Sequence, residues 1–134
     1  HMLDEIGWVK QRVRLPLIAD EACRHPRDIP KLAGVFDGVN IKLMKCGGVQ
    51  EAFRMIQFAR ALGLKVMLGC MIESSVGVAA AAHLSPLADY ADLDGNLLIA
   101  NDPFAGLGIE RGKILLPDAP GLGVVAKRKE NRSA

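Results

Sequence analysis

The feature that most constrains this chain is a recurrence. Four short apolar segments, at residues 15–20, 38–42, 65–70 and 90–94, each close on a polar or small residue. Their ends, Asp20, Lys42, Cys70 and Asp94, follow one another at 22, 28 and 24 residues, the length of one strand plus one crossover helix. Between them lie helical patterns. In residues 49–62 Val49, Ala52, Phe53, Ile56 and Ala59 fall on one face, and Gly63 is placed to stop the helix. Residues 73–87 form an Ala-rich stretch suited to close packing on a sheet, and weaker helices fit 4–14 and 26–33. Aromatic residues are only 4% of a chain that is 50% hydrophobic, so the apolar mass is aliphatic, as in parallel strands buried on both faces. The expected class is α/β, with about four parallel strands and crossover helices. An eight-fold barrel needs roughly 250 residues, so four units make either an open doubly wound sheet or half of a barrel.

After Asp94 the helical rhythm stops and Gly, Pro and Asp become frequent. Residues 109–116, with Arg111-Gly112 at the centre, read as a small hairpin. The expected organisation is a half-barrel over 3–108, a hairpin and return segment over 109–126, and a disordered basic tail over 127–134. His1-Met2 resembles the scar of an expression vector.

Several function classes lose support at this point. The formal net charge is +2, with basic and acidic residues interspersed before the tail, so neither a nucleic-acid footprint nor a membrane partner is expected. Cys23, Cys46 and Cys70 have no CxxC or disulfide-scaffold spacing and read as buried thiols in a reducing compartment, and a sequence with no signal-peptide pattern and no long apolar run is expected in the cytoplasm. His25 and His83 lack partners at metal-ligand spacing and suit surface or cap roles. Gly47-Gly48 suits a tight turn better than an anion cradle.

In βα-repeat folds the carboxyl ends of the strands converge on one site. The sequence puts Asp20, Lys42, Cys70, Asp92 and Asp94 there. Each has a plain alternative as a helix cap or solvated side chain, and their recurrence at consecutive strand ends favours function. Alternation along an extended strand would set Asp92 and Asp94 on one face, as a paired clamp for a cation.

The residues Pro16-Leu17-Ile18-Ala19-Asp20-Glu21, followed by Val39-Asn40-Ile41-Lys42-Leu43-Met44-Lys45-Cys46-Gly47-Gly48, resemble the paired strand motifs of the muconate-lactonizing subgroup of the enolase superfamily. Asp92-Leu93-Asp94-Gly95 resembles the Asp-x-Asp of the dipeptide epimerases within it. The resemblance covers residues 3–125 and implies the C-terminal half of a (β/α)7β barrel. It implies Asp20 as a carboxylate ligand of Mg2+, Lys42 as one of two acid/base lysines, and Asp92 and Asp94 as holders of a dipeptide's α-ammonium. Gly69 to Ser75 is similar to a pocket-lining segment, in which Cys70 and Met71 are equally placed for packing or for substrate contact.

The implied reaction is a 1,1-proton transfer at the carbon α to a carboxylate, through an enediolate whose charge a divalent cation stabilises. Muconate cycloisomerases, o-succinylbenzoate synthases and N-acylamino-acid racemases share the Asp20 and Lys42 pattern but have less need of the acidic pair. The subgroup's Lys-x-Lys motif and first two metal ligands would precede Leu3. Asp4 and Glu5 read instead as acidic residues at a helix start. The expectation is therefore a fragment inactive alone, with Mg2+ bound weakly or not at all. The alternative class is a non-catalytic half-barrel that forms a homodimer or higher homo-oligomer through its open sheet edges.

Overall fold

The structure is a computed structural model that describes residues 2–128. Residues 129–134 of the expected basic tail lie outside the described residues. Its first member, Lys127, is anchored: its backbone N–H donates to the Pro103 carbonyl at 2.8 Å, and its ammonium donates to the Asp102 carbonyl at 2.8 Å.

Helix α1 spans Met2–Lys10, with Asp4 and Glu5 in its first turn, where acidic groups favour the helix dipole. Strand β1, Ile18–Ala19, follows, and then a 3-10 turn at Pro26–Asp28 runs into α2, Ile29–Leu32. Strand β2 (Gly38–Lys42), the short α3 (Leu43–Cys46), α4 (Val49–Ala61) and β3 (Lys65–Gly69) come next. Helix α5, Ser75–Ala82, leads through a 3-10 turn at Ser85–Leu87 to β4, Tyr90–Asp92. The remaining chain adds β5 (Phe104–Ala105), β6 (Gly108–Glu110), β7 (Lys113–Leu115) and β8 (Val125–Ala126).

Strands β1 to β4 form one parallel sheet in sequential order. A doubly wound sheet reverses its order at a switch point. This one does not, and successive strands stepping one way with a crossover between them make a stretch of barrel wall.

Burial follows the period-two alternation of a strand. Ala19, Val39, Ile41, Val66 and Leu68 join the hydrophobic core. Opposite them Ile18, Asn40, Lys42, Met67, Gly69 and Asp92 line a cavity. The covering helix α4 buries Ala52, Met55, Ile56 and Ala59, and Met55 and Ile56 each contribute about 1.5–3 kcal/mol by leaving water. The buried stripe is turned slightly from the expected one: Val49 and Phe53 are 44% and 45% exposed, and Met55 fills the centre.

Elements shorter than expected have local causes. Residues 15–20 shrink to a two-residue ladder because Pro16 has no N–H to give a sheet and Leu15 is exposed. The strand expected over 90–94 ends at Asp92, and the one expected over 65–70 at Gly69. At the hairpin, Arg111 and Gly112 have φ of 49° and 77°, the two positive values of a type I′ turn. Gly47 and Gly48 both donate to the Leu43 carbonyl at 3.1 Å with positive φ, a tight turn. His25 is the exposed cap before the 3-10 turn, and a His83 ring nitrogen meets the Ala79 carbonyl at 2.8 Å at the end of α5. Cys23 and Cys46 are buried and all three thiols are free; burial pushes Cys23 up to about 12. Among the described residues no helix is long and apolar enough to cross a membrane.

Candidate functional site

Four of the residues expected at the site sit at or just past the carboxyl end of a sheet strand. Asp20 follows β1, Lys42 ends β2, Cys70 follows β3 and Asp92 ends β4. Backbone pairing sets their mutual placement, because Lys42 is in register with Gly69 and Gly69 with Asp92. These four site residues, with Ile18, Asn40, Met67 and Gly69, line one cavity of about 170 Å3 on the face away from the helices.

One flank is a cluster of alternating charge. The Lys42 ammonium lies 2.9 Å from Asp20 Oδ2 and 3.9 Å from Glu21 Oε1. Lys45, one helical turn further on in α3, reaches back to Asp20 Oδ1 at 2.9 Å and Glu21 Oε1 at 2.8 Å. Burial works against the Asp20 carboxylate, but hydrogen bonds and charge from Lys42 and Lys45 outweigh it and hold the carboxyl below its usual range. Burial likewise works against the Lys45 ammonium, and the bonds to Glu21 and Asp20 raise its pKa above the ordinary value.

The other flank is acidic. Asp92 is exposed into the cavity. Asp94 is not its strand-face companion as expected: the strand has ended, and Asp94 (φ −99°, ψ 0°) turns the chain into a 3-10 segment at Gly95–Leu98. It lies instead beside Cys70, whose Sγ is 3.8 Å from Asp94 Oδ1. With Asp92 it borders a second cavity of about 490 Å3, between β4 and the hairpin residues Ile109, Ile114 and Leu116. Gly95 is required there, since a Cβ would stand 2.0 Å from the Met71 carbonyl oxygen. Its N–H donates to Cys70 Sγ at 3.2 Å, and burial raises that thiol's pKa. Met71 is 45% exposed and outside the lining of either cavity, its N–H held by Glu73 Oε1 at 3.0 Å.

The described residues do not make a magnesium site by themselves. No group of three or more His, Cys, Asp or Glu is gathered among them, and both Asp20 oxygens are taken by ammonium groups.

Two members of the cavity region escaped the sequence reading. Lys45 stands at i+3 from Lys42, a spacing that returns a side chain to the same side of a helical turn. Asn40 shares the inner face with Lys42 by strand alternation, and a polar residue at such a position in an apolar strand was a signal to follow.

Residues 1–130 match the family model described as Enolase C-terminal domain-like. The chain is 53% identical over 123 residues to the L-Ala-D/L-Glu epimerase of Bacteroides thetaiotaomicron, covering 92% of this chain and 32% of that protein. It is 50% identical over 115 residues to a hydrophobic dipeptide epimerase of Flavobacteria bacterium, covering 86% of this chain and 33% of that protein. Among solved structures, a substrate-liganded L-Ala-D/L-Glu epimerase from Bacillus subtilis superposes with a TM-score of 0.84 at 33% identity, over 92% of this chain and 36% of that one. The Cytophaga hutchinsonii dipeptide epimerase, complexed with Mg and D-Ala-L-Val, gives 0.84 at 30% identity, over 96% and 37%. The chain thus spans about a third of the length of the relatives it matches.

Proposed function

The chain belongs to the Enolase C-terminal domain-like family, and from that premise we propose that it carries one side of the catalytic site of a dipeptide epimerase. The observation that supports this most is the rung Lys42, Gly69, Asp92, which sets an ammonium and a carboxylate on opposite flanks of one cavity. A dipeptide is a zwitterion that matches those poles, its α-ammonium toward Asp92 and its carboxylate toward Lys42 and Lys45.

In this reading the Lys42 Nζ, as the neutral amine, takes the proton at the carbon next to that carboxylate and, as the ammonium so formed, returns it. The positive flank resists charge escaping from the enediolate, and Asp94 adds to the negative potential near Asp92. Epimerisation needs a second acid/base on the opposite face of the carbon; the described group across the cavity from Lys42 is Asp92, which this reading assigns to the α-ammonium, so the second acid/base comes from beyond these residues. Asp20 is one candidate metal carboxylate, with the rest of a Mg2+ ligand set supplied from beyond these residues. The chain alone then turns over no dipeptide and binds Mg2+ only at millimolar levels. Three unpaired thiols suit a reducing compartment, and the cytoplasm is the location this reading takes.

The test is exchange of the α-proton of L-Ala-L-Glu in D2O, followed by NMR. A protein carrying this chain within a complete barrel is expected to exchange and epimerise dipeptides, whereas the 134-residue chain is expected to do neither. No exchange with any dipeptide in the longer protein would sink the assignment. Robust turnover by the chain alone would remove the one-sided reading.

One observation favours a second reading, a self-associating half-barrel. All three residues of β4 are exposed at the edge of the sheet, and unpaired strand edges recruit other strands. A dimer or higher oligomer should then sediment at micromolar concentration, and a monomer with no concentration dependence would exclude it.

A further inference from the structure

Asn40 is buried to 4% of its exposure, yet its side-chain oxygen Oδ1 has no hydrogen-bond partner. A buried acceptor left unpaired costs about 1–3 kcal/mol, so a position that keeps one calls for a function. The amide lines the same cavity as Lys42 and Asp92. It does not merely point inward from β2 but leans across β3: a Cβ built on Gly69 would stand 2.6 Å from Asn40 Oδ1 and 2.7 Å from Nδ2. Gly69 is thus a notch that the amide occupies, and it is the middle member of the rung between Lys42 and Asp92.

We propose that Asn40 is a substrate-binding residue whose Oδ1 accepts a hydrogen bond from the peptide N–H of the dipeptide. This deepens the epimerase reading and rests on it. Lys42 and Asp92 lie two strands apart, roughly 10 Å between backbones at about 4.8 Å per step. An extended dipeptide spans at most about 7 Å, and the side chains reaching in from both flanks close the difference. With the ammonium at Asp92 and the carboxylate at Lys42, the peptide bond falls over the middle strand. There the cavity floor is the Asn40 amide. A peptide unit has one donor, its N–H, and Oδ1 is an acceptor without a donor. The match selects an amide at this point over an ester.

The experiment is an NMR titration of the 134-residue chain at millimolar ligand, following the Asn40 side-chain amide together with the signals of Asp92 and its neighbours. One ligand is L-Ala-L-Glu, and the other is the alanyl ester of 2-hydroxyglutaric acid, in which an oxygen replaces the peptide N–H. The dipeptide should shift the Asn40 amide signals and bind about tenfold more tightly than the ester. Asn40→Leu, of similar size, should bind both ligands equally at the ester's level, with a denaturant midpoint unchanged or raised because an unpaired polar atom has been removed. Gly69→Ala, which pushes the amide from its notch, should reproduce the loss of discrimination.

Equal affinity for amide and ester in the unaltered chain, with Asp92 still responding, would overturn the role of Asn40 and leave the epimerase reading standing. That would also be the result if an ordered water filled the position. A lowered midpoint in Asn40→Leu would overturn the role as well, by showing a structural partner. No response anywhere in the cavity to either ligand would overturn both.

Discussion

The two ends of the parallel sheet use the same residue type in opposite ways. At the amino end, Asp37 precedes β2 and Asp89 precedes β4, and each spends its carboxylate on backbone. Asp37 Oδ2 accepts the Leu17 N–H at 2.8 Å, and Asp89 Oδ2 accepts the Val66 N–H at 2.7 Å. Each is also paired with a cation, Lys10 at 3.1 Å and Arg60 at 2.6 Å. At the carboxyl end, Asp20 is held by two ammonium groups and Asp92 is exposed in a cavity. Carboxylates at one end tie strands to their neighbours, while those at the other leave their oxygens to side chains or to a ligand. Backbone satisfaction therefore separates the acids of the two ends of this wall better than burial does, since Asp37 and Asp20 are similarly part-exposed.

The sharpest way to break this contrast is to remove a charged group from each end. In a protein that carries the whole barrel, Lys42→Ala should lower the rate of α-proton exchange by about 10²–10⁴-fold and leave the urea midpoint nearly where it was. Retained racemisation would take Lys42 out of its role. At the other end, Asp89→Ala should lower the stability of the chain by about 2 kcal/mol in urea unfolding, because the Val66 N–H loses a charged acceptor. Dipeptide affinity should not move.

A smaller effect appears in acid. Backbone hydrogen bonds from Leu17 and Val66 are the main cause holding Asp37 and Asp89 below the usual carboxylate range. A folded-state pKa below the unfolded one stabilises above the unfolded value, about 3.9, and that stability is lost as pH falls through the folded value. Urea midpoints should be flat from pH 7 to about 4.5 and then drop, and Asp37→Asn with Asp89→Asn should shallow the drop. The smallest change is expected for Asp92→Asn, within about 0.5 kcal/mol of the unaltered stability, with weaker binding of any ligand that bears an ammonium group. A large loss of stability there would erase the distinction between the two ends.

Much of the wall was legible in the sequence because two-sided burial forces continuous apolar runs, and 38–42 was read with its bounds intact. The carboxyl-end groups Asp20, Lys42, Cys70 and Asp92 were found for the same reason, being the polar residues that end those runs. Alternation misled at Asp94, since nothing in Asp92-Leu93-Asp94-Gly95 announces that the strand stops two residues earlier. The α4 stripe kept Ala52, Ile56 and Ala59 but took Met55 in place of Val49 and Phe53, because Phe53 and Met55 differ by geometry on the sheet rather than by hydrophobicity. Past Leu93 no described residue belongs to the buried apolar set, and there the pairing of β5 with β8 depends on backbone geometry. Gly106 and Gly123, at φ of 115° and 73°, approach so closely that a Cβ on Gly106 would lie 2.8 Å from the Gly123 oxygen.

The in-register rung from Lys42 through Gly69 to Asp92 has a consequence for how such sites diversify. Backbone hydrogen bonds hold neighbouring strands at about 4.8 Å, so the gap between the two poles is a whole number of sheet steps, a length that point substitutions in the loops cannot stretch. Met44, Met71, Ile72, Leu97 and Leu98, exposed beyond the strand ends, carry no such constraint. On the proposed reading the ruler beneath them admits one peptide unit, and a descendant that took a longer or shorter backbone would have to re-register a strand rather than remodel a pocket.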